Sequence, residues 1–191
     1  MGAINIAEDV IADSSFYICF LDDVDDPNSL SRIINSQNFR FIGGKLVCSE
    51  IKESKNCANV ESLDEKIVDH TSYNYGEILK PFFGRSELKK GEHESISIAY
   101  IHSSNGKNFK LVLDDRQPRM MIKKNFPDLE NKLTGTVGFI GLCNYEYKIF
   151  SSEEAINILL SIRDSKFRIK DSILLGEIEK IKLGDSDGNS N

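Results

Sequence analysis

Two short apolar runs in this chain end in acids. Val10-Ile11-Ala12 stops at Asp13-Ser14-Ser15, and Phe109-Lys-Leu-Val-Leu113 stops at Asp114-Asp115. An apolar run bounded by polar turn formers reads as a buried strand. The first run feeds a turn and then an apolar helix, Phe16 to Leu21. Asp26-Pro27 places an N-cap before a proline at the first helical position, and Leu30, Ile33 and Ile34 follow at helical spacing. Phe39 to Ile42 is strand-like, and Gly43-Gly44 turns the chain into a helix bearing Leu46, Val47, Glu50 and Ile51.

Between residues 54 and 90 the pattern weakens. Val60, Leu63 and Ile67 are spaced for one helix, and Ile78, Leu79, Phe82 and Phe83 for another around Pro81. This stretch reads as a helical insertion or as an arm that contacts a partner. A helix begins after Gly91 with Ile96, Ala99 and Tyr100 on one face. Beyond the Phe109–Leu113 strand, a helix over 116–124 leads to Leu133, and Thr134-Gly-Thr-Val-Gly138 opens an apolar helix. Ser152 with Glu154 starts another, carrying Ala155, Ile158, Leu159 and Ile162. The last runs from Asp171 through Ile173, Leu174, Ile178 and Ile181, with Gly184 as its stop and 185–191 as a disordered tail. Strands alternating with helices predict an α/β protein whose mainly parallel sheet is covered on both faces, one domain over residues 1–184.

Apolar residues make up 40% of the chain and charged residues 28%, a globular balance with enough material for a core. No apolar run nears the ~20 residues of a membrane-spanning helix. The start, MGAINIAEDV, lacks a basic stretch followed by an apolar block, and Ile6 stands where a myristoylation motif places Ser or Thr. A cytoplasmic protein is therefore expected. With 24 basic against 30 acidic residues the net charge is −6. That argues against a protein that coats nucleic acid through a basic face, but not against an enzyme that holds it through metal ions and one local basic strip. Cys19, Cys48, Cys57 and Cys143 show no C-x-x-C spacing and read as reduced packing residues. His70, His93 and His102 form no zinc-binding pair.

Ligands of parallel sheets gather beyond the carboxyl ends of the strands, where Asp13 and Asp114 stand. An acid there requires hydrogen bonds or a cation to offset its burial. Either Asp alone suits a helix N-cap as well as a ligand. Two of them, about a hundred residues apart in sequence, point to a shared site. Glu50, a turn into the helix after Gly44, and Glu92, at the start of the helix whose inner face is Ile96 and Ala99, are the acids that could complete it. Each alone also suits a solvated acid at a helix start. Mg²⁺ and Mn²⁺ prefer such hard oxygen ligands. Asp115 could replace or assist Asp114, whereas Glu94 points about 200° away from Glu92. Arg116, Arg119 and Lys123 share a helix face with Lys124 nearby, as a solvated surface or a strip that tracks phosphates. Thr134-Gly135-Thr136 offers amides to a phosphate or packs a capped helix closely. Ser14 or Ser15 either bonds a metal-held water or caps the helix after Asp13. Tyr73, Tyr75, Phe82 and Phe83 suit base stacking, a partner surface or the core.

The stretches VIADSSFYI, GKLVCSE, GEHESISIA and LVLDD together resemble the PIN-domain family. GE-x-E-x-I-x-x-A, LDD-x-x-x-R, TGT-x-G and the closing FRIKDSIL resemble a bacterial branch close to the ribonuclease toxins of toxin–antitoxin pairs. The resemblance covers about residues 9–181, and Gly43-Gly44 departs from it where relatives usually carry proline. It implies a three-layer α/β/α sandwich with a short, mostly parallel sheet, and a Mg²⁺- or Mn²⁺-dependent endoribonuclease. Asp13, Glu50, Glu92 and Asp114 would then be its catalytic acids, with Asp115 as a further metal ligand. Of the substrate candidates Ser15, Arg116, Arg119 and Thr134, the resemblance bears on Arg119, where relatives also carry a basic residue. It further implies an inhibitory antitoxin as partner, and a homodimer is the commonest assembly. Metal–phosphate chemistry is indifferent to the sugar unless the 2′-OH is contacted, which leaves DNA as a second substrate class. A catalytically silent binding module of the same fold is the other alternative.

Overall fold

The computed structural model describes residues 7–59, Leu63, 67–69, Leu79 and 90–188. Strands β1 (Glu8–Ala12), β2 (Phe39–Gly43), β4 (Phe109–Val112) and β5 (Leu133–Thr134) pair in the order β2-β1-β4-β5, and the three-residue β3 (Ile67–Asp69) extends the sheet beside β2. Every pairing is parallel. β1 lies at the centre with Val10, Ile11 and Ala12 fully buried, which is why its apolar run is continuous rather than alternating.

Side chains of a strand alternate between faces, and here each face has its own core. Val10, Ala12, Phe39, Phe41 and Val112 pack with Phe16, Tyr17 and Phe20, with α2 (Pro27–Ile34), and with α6 (Thr136–Tyr145), α7 (Ser152–Asp164) and α8 (Asp171–Gly188). Ile11, Ile42, Phe109 and Leu111 pack on the other face with Ile96, Ala99 and Ile122 from α4 (Lys90–Ser104) and α5 (Arg116–Asn125). The result is a sheet between two helical layers. α1 (Ser14–Ile18) follows β1 directly, without the expected turn, and runs into a π-helical turn over Cys19–Asp23. α3 (Lys45–Lys52) follows Gly44, as the Gly-Gly pair indicates. Asp26 caps α2 by accepting the Ser29 amide at 3.0 Å.

Some local expectations are corrected. Ile67 belongs to β3, paired with Phe41, rather than to a helix with Leu63. Val60, Ile78, Phe82, Phe83, Tyr73 and Tyr75 lie outside the described residues. Tyr100 is 40% exposed rather than part of the inner face of α4. The cap of α7 is Ser151, whose hydroxyl accepts the Glu154 amide while the Glu154 carboxylate accepts the Ser151 amide, a reciprocal capping box. Gly184 does not stop α8, which continues to Gly188, so residues 185–188 are helical and not a disordered tail. The four cysteines are free thiols, two of them buried. Among the described residues no helix is long and apolar enough to cross a membrane.

Candidate functional site

The register sets Ala12 beside Val112, so Asp13 and Asp114 leave the sheet at the same edge. Asp13 occupies the N-cap position of α1 with an extended backbone, yet its side chain makes no capping bond. It is 1% exposed, and neither carboxylate oxygen has a hydrogen-bond partner. Burial, and next the charge of Asp114, push this carboxyl up from 3.8 to about 7. Glu92 adds to the rise, while the Ser15 hydroxyl and the Phe16 amide draw it partly back without reaching hydrogen-bonding geometry.

Asp13 opens into a cavity of about 170 Å³ that Ser15, Asp23, Glu50 and Glu92 also line, with Ile18 and Phe167 as its apolar wall. Glu50 accepts a short hydrogen bond from the Ser14 hydroxyl. Its carboxylate lies against Gly91, where an added Cβ would stand 2.5 Å from Glu50 Oε2. Glycine at that position therefore lets α3 bring Glu50 up to the start of α4, next to the buried Glu92. Glu94, one residue beyond His93, turns the other way and accepts the amides of Leu46 and Val47 at 2.9 and 2.8 Å, satisfying the open N-terminus of α3. A Cβ on Gly44 would lie 2.1 Å from the Glu94 carboxyl carbon, which accounts for glycine at that position.

Asp114 is held rather than orphaned. Its oxygens accept the Thr136 amide at 2.9 Å and the Thr136 hydroxyl at 2.6 Å. Burial raises its carboxyl, and Thr136 and Arg119 oppose that rise. The Arg119 guanidinium is turned inward onto the Leu113 carbonyl at 2.7 Å. A Cβ on Gly135 would stand 2.8 Å from Asp114 Oδ1. Thr136 and Gly135 of the Thr-Gly-Thr motif thus serve Asp114, whereas the Thr134 hydroxyl reaches only the neighbouring Gly135 carbonyl at 3.3 Å. Asp115 and Arg116 are exposed at the start of α5, and Lys123 pairs with Glu130 at 3.9 Å.

Of the acids singled out in the sequence, the fold gathers Asp13, Glu50 and Glu92 around one cavity, and Asp114 adjoins through its charge on Asp13. Asp115, Arg116, Arg119 and Thr134 do not line it. Asp23 and Phe167 do, and the sequence reading passed over both. Asp23 sits in the π-helical turn, which no apolar periodicity announces. Phe167 carried a visible signal, an aromatic residue between Lys166 and Arg168.

Among the described residues, no set of three or more His, Cys, Asp or Glu side chains is arranged to hold a metal ion. The fit to a divalent ion rests on donor chemistry: a buried carboxylate without partners, with three more acids, Asp23, Glu50 and Glu92, around the same cavity. Mg²⁺ usually takes one or two carboxylates and completes its shell with water and substrate phosphate. No family model, curated protein or solved structure matches this chain.

Proposed function

We propose that this chain is a Mg²⁺- or Mn²⁺-dependent nuclease acting on RNA. The observation that carries the reading is the Asp13 carboxylate, buried without a hydrogen bond in a cavity it shares with Glu50 and Glu92. Such a group is unstable as an anion unless a cation joins it. Asp13 and Glu92 would hold the ion, Glu50 would orient water or complete the shell, and Asp114, fixed by Thr136, would sustain the negative field. A divalent ion bound there neutralises charge on a scissile phosphate and activates water for attack. The four acid-bearing stretches that resemble the PIN-domain family support RNA as the substrate. They also support an inhibitory protein partner of the antitoxin kind and a homodimeric assembly.

One observation favours a second reading, a silent binding module. Glu50 is engaged by Ser14 and Asp114 by Thr136, so both acids also serve as local structural acceptors. Labelled RNA and single-stranded DNA incubated with Mg²⁺ or Mn²⁺ decide between the two. Metal-dependent RNA cleavage, lost in folded Asp13→Asn and Asp114→Asn, is the expected result. Absence of both cleavage and calorimetric Mn²⁺ binding in partner-free protein would leave the binding module, and preference for DNA would change the substrate class.

A further inference from the structure

The segment between α7 and α8 reads Ser165-Lys-Phe-Arg-Ile-Lys170. It is pinned at its start: the Ser165 hydroxyl donates to the Ile162 carbonyl at 2.8 Å and accepts the Phe167 amide at 3.0 Å. Lys166, Arg168 and Lys170 are exposed, while Phe167 and Ile169 are half-buried against the core. Phe167 also reaches the acid-lined cavity, where Ile18 is its apolar companion. Lys166 stands close enough to Asp23, on the same cavity, to oppose the rise that burial and Asp22 impose on that carboxyl.

Phe167 packs partly on the core but also faces the cavity, where an ion held by hard oxygens makes no use of an aromatic ring. At about 170 Å³ the space is smaller than the ~300–1,000 Å³ of pockets that enclose a small molecule. It suits one unit of a polymer passing over it. Alternating cations around an aromatic residue are the arrangement that binds single-stranded nucleic acid, with bases on the ring and phosphates on the cations. In a chain of net charge −6, a local run of three cations is also where a polyanion would gain attraction.

Resting on the nuclease reading, we propose that residues 165–170 form a single-strand rail. Phe167 stacks an unpaired base at the mouth of the acidic cavity, and Lys166, Arg168 and Lys170 contact the flanking phosphates. Substrate is thereby restricted to unpaired strands, since a duplex presents no free base face to the ring.

The chain contains no tryptophan, so Phe167→Trp introduces a single emitter at the proposed stacking position. Its fluorescence is titrated with a short oligouridylate and with duplex RNA of equal length, in chelator so that no strand is cut. Quenching by the single strand alone is expected, weakened in Lys166→Ala/Arg168→Ala with a shallower salt dependence. In the cleavage assay Phe167→Leu, which keeps apolar volume but removes the ring, raises KM by roughly tenfold, and the rise falls on KM rather than kcat. Quenching without cleavage in the wild type would sink the nuclease reading and keep the rail. Cleavage by Phe167→Leu at wild-type KM, together with no quenching or with equal quenching by duplex, would overturn the rail and keep the nuclease.

Discussion

The two ends of β1 hold buried acids in opposite ways. At its start, Asp9 is 4% exposed but accepts from Arg40 Nε at 2.6 Å, with Arg40 Nη2 also at 2.6 Å and His102 Nε2 at 3.6 Å. Its neighbour Glu8 accepts from Asn108 at 2.9 Å and from the Tyr147 hydroxyl, with Lys110 at 4.0 Å. Just past the other end, Asp13 is as deeply buried and has no such partner. The same residue type, four positions apart in sequence, is thus compensated near the start of β1 and left bare just past its end. Burial of an acid is therefore uninformative alone. What sets the carboxyl end apart is burial without compensation, the feature on which the proposed site rests.

The largest expected effect comes from removing the bare charge. The Asp13 carboxyl titrates near 7 in the fold against 3.8 ordinarily, so folding takes up a proton between those values. Its contribution favours the fold below about pH 4 and is lost as pH rises through 7. Asn at this position should stabilise metal-free protein at pH 8 by roughly 2–4 kcal/mol and bring little gain at pH 4. Denaturant melts at the two pH values measure this. Mn²⁺ should stabilise wild type at pH 8 by mass action and leave Asp13→Asn unchanged. At the opposite end the sign reverses. Arg40→Ala strands the Asp9 anion and should cost about 2–3 kcal/mol, reduced from the value for a fully buried pair because Arg40 is half exposed. Equal and same-signed effects at both ends would dissolve the comparison.

A smaller effect is expected at Gly44, whose bare backbone touches Glu94. Gly44→Ala meets Glu94, which is buried and holds the α3 amides, so it should cost roughly 1–3 kcal/mol by overpacking. Calorimetric melting tests it. Smallest is Ser151→Ala, expected to cost about 1 kcal/mol through the lost cap of α7, with cleavage unaffected.

The central strands were readable because their buried stretches, Val10–Ala12 in β1 and Leu111–Leu113 at the end of β4, are apolar runs that each end in an acid. Asp26-Pro27 was equally plain, since cap and proline chemistry is local. β3 was not: Leu63 and Ile67 stand four apart, the helical interval, and only pairing with Phe41 makes Ile67 a strand residue. Gly184 illustrates the same weakness, because a glycine in helical backbone costs only about 1 kcal/mol and the helix runs on past it to Gly188. At the site, Asp13, Glu50 and Glu92 were legible as acids at element ends. That Glu94 caps α3, that Thr136 rather than Thr134 holds Asp114, and that Asp9 is neutralised by Arg40 are facts of tertiary contact. No sequence spacing encodes them.

Gly91 has no functional group, yet the Glu50 carboxylate rests on its bare backbone. A Cβ there would meet the end of the Glu50 side chain first, at 2.5 Å, and displace the carboxylate that Ser14 holds. Gly91→Ala should consequently lower activity more than it lowers folding stability, measured by cleavage and by denaturant melts side by side. The position contributes an emptiness, and the chemistry proposed for its neighbours depends on that emptiness being kept.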